Sequence, residues 1–168
     1  MVGDIERVLG ALNDASVRYL VVGGVAVVLH GHLRTTADLD LVVQLTPDNA
    51  RRAMTALTGI GFRPRAPVTA ESFADAPTRE SWVRDKGLSV FSLWCPTVPG
   101  LEVDVFVEEP FDFDLAYSRA VRVPLQRTTA TVISLNDLIA QKTRVGRPRD
   151  VEDVAALNAI AKRRRPDA

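Results

Sequence analysis

Two apolar runs, each broken by residues foreign to a plain core strand, constrain this chain most. Residues 17–22 are continuous and rich in strand formers, as a strand buried on both faces should be, and they end at Gly23-Gly24. Apolar character resumes over 25–29, which predicts strand, glycine turn, helix, even though valines are weak helix formers. Residues 39–45 form the second run, entered through Arg34-Thr35-Thr36-Ala37-Asp38 and carrying a further acid at Asp40. A glycine pair at a strand end lets backbone approach a ligand closely, and the first amides of a helix attract phosphate. The same pair also suits a turn that only needs positive φ.

On a strand, residues two apart project from one face, so Asp38 and Asp40 are expected side by side. Adjacent carboxylates repel unless a cation lies between them. Hard divalent cations take oxygen ligands, and Mg²⁺ is often held by one or two carboxylates together with substrate phosphates. The alternative is a solvated strand end with two incidental acids. Residues 101–107 form a third element of this kind. Leu101, Val103, Val105 and Val107 share one face, and Glu102, Asp104 and Phe106 the other. A charge in mid-strand is costly without a partner. Asp104 is therefore expected either to share a metal with Asp38 and Asp40 or to pair with an arginine.

A chain of 168 residues supports one compact domain and crowds two. A single domain over 1–168 is expected, with its core over about 17–125 and a helical C-terminal part over about 134–161. Lys plus Arg and Asp plus Glu both number 21, so nucleic-acid contact would need a local basic patch rather than overall charge. Cys95 is the only cysteine, which excludes an intrachain disulfide and a thiolate zinc cluster. The opening MVGDIERVLG lacks the apolar segment of a secretory signal. The longest nearly apolar run, 19–29, is too short to span a bilayer. A cytoplasmic protein without membrane association is expected.

Elsewhere, Ile5, Val8, Leu9 and Leu12 have helical spacing over 4–13. Thr46-Pro47-Asp48 reads as a helix start, with the helix running to about Leu57. Residues 62–76 read as a polar loop or lid. Residues 82–84 and 88–94 read as strands joined at Asp85-Lys86-Gly87, and 121–125 and 130–133 as short strands. Ser134-Leu135-Asn136-Asp137 resembles a capping box with Asp in place of Glu, opening a helix to about Val145. After Gly146-Arg147-Pro148 a last helix is expected from about Asp150 to Ala161, then a frayed basic tail over 162–168. The fold class is thus α/β (α+β), a mixed central sheet flanked by helices with a helical C-terminus.

Several single residues stand out. The inward stripe of Leu135, Leu138 and Ile139 continues to Lys142. A lysine there either snorkels outward or faces a negative group such as a triphosphate or departing pyrophosphate. Arg34 either clamps phosphate or lies on the surface. His30 and His32 suit capping or surface roles, Asp150 an N-cap, and Asp153 a solvated helix position. Trp82 and Trp94 read as core or sheet-face residues rather than base-stacking platforms.

The order Gly-Gly, short helix, Asp-apolar-Asp and a later strand Asp resembles the polymerase-β-type nucleotidyltransferase superfamily, and VVGGVAVVLHGHLRTTADLDLVV matches its main motif. The resemblance implies the polymerase-β-like nucleotidyltransferase fold. It implies Mg²⁺ or Mn²⁺ on Asp38, Asp40 and Asp104, and a nucleoside triphosphate at Gly23 and Gly24. The segment SLNDLIAQKTRVGRPRDVEDVAAL resembles the C-terminal region of AbiEii/MenT-type nucleotidyltransferases of bacterial toxin–antitoxin systems. That likeness implies nucleotide-site roles for Lys142 and Asp150, with Arg34 a further candidate. It also implies tRNA or protein as the acceptor, and a cognate antitoxin. Together the likenesses span about 17–157 and cover 62–93 poorly. Two departures stand out: Gly-Gly replaces the commoner Gly-Ser, leaving no serine hydroxyl for a phosphate, and the chain is short for such a toxin.

The reaction implied is transfer of a nucleoside monophosphate to an acceptor hydroxyl with release of pyrophosphate, the hydroxyl being activated by a metal or by Asp104. One rival is an antibiotic nucleotidyltransferase of the aminoglycoside or lincosamide kind. Another is a non-catalytic module that binds a nucleotide or a partner.

Overall fold

The computed structural model describes residues 2–164. In chain order it contains α1 (Val2–Asp14), β1 (Tyr19–Val21), α2 (Gly23–Leu29), β2 (Asp38–Val43), α3 (Pro47–Gly59) and β3 (Arg63–Pro64). A 3₁₀ turn (Glu71–Ala74) leads into α4 (Ala76–Lys86), followed by β4 (Val90–Trp94), β5 (Glu102–Phe106) and α5 (Phe113–Ser118). The chain closes with β6 (Val121–Pro124), β7 (Thr129–Val132), α6 (Leu135–Val145) and α7 (Pro148–Arg164). The strands form one mixed sheet in the order β3-β4-β5-β2-β1-β7-β6. β2 runs parallel to β5 and β1 parallel to β7, while the other neighbours are antiparallel. The expected mixed sheet with a helical C-terminus is what forms.

Alternation decides which face of the central pair is buried. Leu39 and Leu41 pair in register with Val103 and Val105, and all four are fully buried. Packing apolar side chains at this register fixes it, because a one-residue slip would turn the acids inward. Val8, Leu9 and Leu12 of α1 join the same core. Asn49 of α3 is buried and ties the helix to the residues just before β1 and just after β2: its Oδ1 accepts from Arg18 N at 2.8 Å, and its Nδ2 donates to Arg18 O and Gln44 O at 3.0 and 2.9 Å.

The structure departs from the sequence expectation in several places. Trp82, Val83 and Arg84 lie in α4, not in a strand. Asp75 caps that helix by accepting from Thr78 N, Pro77 sits in its first turn, and Gly87 closes it at φ +61°. Such caps set helix ends independently of an apolar stripe. Trp82 turns inward and stacks on Phe91, with ring centroids 5.3 Å apart. The span expected as a loop holds β3 and the 3₁₀ turn. α5 was not anticipated; Asp112 caps it by accepting from Leu115 N at 2.9 Å. α7 begins at Pro148 and continues through Arg164, whose Nη2 donates to His30 O at 2.9 Å. The expected frayed tail is therefore helical as far as it is described, and residues 165–168 lie outside the described residues. Among the described residues, no helix is long and apolar enough to cross a membrane.

Candidate active site

The register of β2 against β5 builds the site. Asp40 is the direct partner of Asp104, and Asp38 the partner of Glu102. Register partners in adjacent strands share a face, so all four acids lie opposite the buried row of Leu39, Leu41, Val103 and Val105. Asp38 is exposed, while Asp40 and Asp104 are half-buried. Burial, then the charges of Asp104 and Asp38, push the Asp40 carboxyl up to about 6, against the opposing pull of the Gly24 amide and Lys142. Burial also raises Asp104, countered by the Ser92 hydroxyl on β4 and assisted by the charges of Asp38 and Glu102. Both shifts follow from like charges crowded in a poorly solvated place.

These carboxylates could hold a divalent cation. Asp104 Oδ1 is buried and has no hydrogen-bond partner among the described residues, which leaves a hard oxygen unsatisfied there. The arginine pairing considered for Asp104 does not occur among the described residues. Among the described residues, no three or more His, Cys, Asp or Glu side chains are gathered tightly enough to hold a metal by themselves. That is compatible with Mg²⁺, which usually completes its shell with substrate phosphates and water.

The glycine pair is tied to the acids. Gly23 adopts φ +61°, and a Cβ there would overlap the Asp40 carboxylate. At Gly24 a Cβ would overlap the Arg34 guanidinium and the Thr36 hydroxyl. The turn requires glycine twice over, for its backbone and for the side chains that fill the vacated space. Gly23→Ala is expected to displace Asp40 and lower activity by roughly 10²-fold, the usual cost of misplacing a reacting group by about 1 Å. The check is the turnover rate of a variant whose thermal unfolding still shows a folded chain.

Behind the acids lies a buried ion cluster. Lys142 Nζ on α6 donates to Asp150 Oδ1 at 2.9 Å and lies 2.7 Å from Asp153 Oδ2, close enough for an ion pair but off-line for a hydrogen bond. Arg34 Nε stands 3.6 Å from Asp153 Oδ1, and Arg34 Nε and Nη1 are buried without hydrogen-bond partners among the described residues. Lys142 therefore does not snorkel, and Arg34 is not a surface residue. Asp150 is not an N-cap. It sits within the first turn of α7, as its third residue, and its carboxylate reaches back to accept from Arg147 N at 3.2 Å. His30 is buried at the end of α2, where its Nε2 bonds Ile133 O at 2.8 Å. His32, in the loop after α2, is half-buried.

The match to known families decides the kinship. Residues 3–163 match the family described as "Nucleotidyltransferase of unknown function (DUF6036)". The chain belongs to this nucleotidyltransferase family. Among solved structures, it resembles the lincosamide antibiotic adenylyltransferase LnuA, lincomycin-bound, at 16% identity, with a TM-score of 0.63, 95% of this chain covered and 98% of that one. It also resembles ANT(2″)-Ia in complex with adenylyl-2″-tobramycin, at 14% identity, with a TM-score of 0.59 and coverage of 93% and 86%. An antigenic nucleotidyltransferase-like protein from Paracoccidioides brasiliensis follows at 18% identity, with a TM-score of 0.54 and coverage of 87% and 69%. At these identities the likeness establishes the fold. No curated protein matches the chain.

In this DUF6036 chain, two residues beside the acids were missed or misread from sequence. Asp153, expected in solvent, is 2% exposed. The signal was present: the buried residues of α7 are Asp153, Leu157 and Ile160, so the stripe argument that singled out Lys142 applies equally to Asp153. Ser92, the cross-strand partner of Asp104, gave no such signal, because its relevance depends on the β4–β5 register.

Proposed function

We propose that the chain transfers a nucleoside monophosphate from a nucleoside triphosphate to an acceptor hydroxyl, with Mg²⁺ or Mn²⁺, and releases pyrophosphate. The observation that carries this reading is the pairing of Asp40 with Asp104 beside Gly23, with Asp104 Oδ1 left unsatisfied. Asp38, Asp40 and Asp104 would hold the cation, whose chemistry there is to neutralise charge on the transferring group and acidify the hydroxyl. Gly23-Gly24 offers backbone without side chains to the β and γ phosphates. Lys142, whose charge reaches Asp40, and Arg34, beside Gly24, add positive potential there. Asp150 holds Lys142 in place. Asp104, with a free oxygen and raised proton affinity, is suited to accept the hydroxyl proton. The acceptor oxygen then bonds the α-phosphorus as the bond to pyrophosphate breaks, and the electron pair leaves with pyrophosphate.

For the acceptor, the favoured reading is a cytoplasmic toxin of a toxin–antitoxin pair acting on tRNA or protein. Its support is that Lys142 and Asp150, from the segment with that resemblance, meet in one buried cluster. The second reading is an antibiotic acceptor, favoured by the whole-chain likeness to LnuA. The test is incubation with each α-labelled triphosphate and Mg²⁺ in the presence of total RNA, total protein, lincomycin or tobramycin. Label in RNA or protein is expected, with growth arrest on expression. Label on a drug would select the second reading. Label in no pool, with no Mg²⁺-dependent triphosphate binding, would leave only the non-catalytic module.

A further inference from the structure

The active face continues outward from the acids. Across the strands, Asp38 pairs with Glu102, Glu102 with Trp94, and Trp94 with Arg63 on the edge strand β3. Cross-strand partners share a face, so one row runs from a carboxylate through an indole to a cation. Trp94 is among the exposed large hydrophobic residues, at 36%. Arg65 places its guanidinium 5.5 Å from the Trp94 ring centroid and pairs with Glu102. Between Trp94 and the loop 96–101 lies a cleft of about 320 Å³ that reaches Asp38. That volume is at the low end of ligand sites, which run to roughly 1,000 Å³. It suits one ring system with its sugar, not a folded surface.

The side of the sheet also matters. Gly23 follows β1, and β1, β2, β5, β4 and β3 are successive neighbours. Asp40 and Asp104 therefore stand between the glycine turn and the Trp94 cleft. In-line displacement needs the entering and leaving oxygens on opposite sides of the phosphorus. If pyrophosphate leaves over Gly23-Gly24, the acceptor enters from the Asp104 side, where the cleft lies. This step rests on the transferase reading given above.

We infer that the Trp94 cleft is the acceptor subsite and that it takes a nucleotide unit, with its base against Trp94, its phosphate near Arg63 and Arg65, and its hydroxyl toward Asp104. Exposed aromatics flanked by cations are the usual platform for unpaired bases. A free nucleotide and the terminal nucleotide of a single strand share this chemistry.

The test measures binding of a 5′-labelled single-stranded oligoribonucleotide by anisotropy, without triphosphate, and its competition by a nucleoside 5′-monophosphate. Trp94→Ala is expected to weaken binding about tenfold or more, and Trp94→Phe by under about threefold, because stacking is worth roughly 1–3 kcal/mol per base. Arg63→Ala with Arg65→Ala is expected to flatten the salt dependence. Competition by the monophosphate identifies a free nucleotide as the source, and oligonucleotide binding without competition identifies a strand end. Equal affinity of wild type and Trp94→Ala, with both folded by circular dichroism, or failure of the labelled oligonucleotide to bind wild type, overturns the subsite. Because nothing turns over in this assay, binding at Trp94 in a chain that proves unable to transfer would overturn the transferase reading and leave Trp94 a nucleotide-binding site without an acceptor role.

Discussion

Asp40→Asn abolishes transfer, lowering the rate by roughly 10³-fold or more, and at the same time stabilises the cation-free chain at neutral pH. The two effects share one cause. Burial and the facing charges of Asp104 and Asp38 lift the Asp40 carboxyl from 3.8 to about 6 in the fold. A raised folded pKa means that the folded chain holds this proton more tightly than the unfolded chain. Ionising Asp40 therefore costs stability. The cost is absent below about pH 4, grows as pH rises through 6, and is constant above. Asparagine removes it, so the melting temperature of the variant should exceed that of wild type by roughly 3–8 °C at pH 7.5 and match it near pH 4. Mg²⁺ with triphosphate should raise the wild-type melting temperature and leave the variant unmoved. A variant that loses activity while melting below wild type at pH 7.5 would instead mark Asp40 as a structural residue.

Lys142→Met destabilises the chain by about 3–5 kcal/mol, the typical result of removing one partner from a buried ion cluster. Asp153, 2% exposed, would keep only the 3.6 Å approach of Arg34, and Asp150 would lose its ammonium partner. The destabilisation follows from the stranded charge, not from lost packing, since methionine has similar bulk. Adding Asp153→Asn to Lys142→Met should therefore recover part of the loss. Urea unfolding of the single and double variants reads both effects. A loss below about 1 kcal/mol for the single change would show that water reaches the cluster.

Much of this was readable in the residues. β2 and β5 were legible because period-two alternation of acid and apolar side chains leaves one register that buries Leu39, Leu41, Val103 and Val105. α6 was legible to the residue because Ser134 caps it and Gly146 closes it. α4 was not. Its turns are mostly polar around Trp82, so its start and stop were set by Asp75 and Gly87 rather than by an apolar period. Single residues divided along the same line. That Asp38 and Asp40 share a face is local strand geometry. That Asp104 stands beside Asp40, that Arg34 fills the space left by Gly24, and that Asp153 is buried under Arg34 are products of long-range packing. No periodicity records which loop arrives over which helix. Trp94 was read as a sheet-face residue, which it is; that its face is the one bearing the acids emerges only from the cross-strand row.

The account turns on whether the three carboxylates gather a cation for a triphosphate. Calorimetric titration of each nucleoside triphosphate into wild type and Asp104→Asn, with Mg²⁺ and then with chelator, measures this directly. The prediction is binding of at least one triphosphate to wild type with Mg²⁺ only, lost in the variant. Equal binding with chelator, or undiminished Mg²⁺-dependent binding by Asp104→Asn, would contradict it.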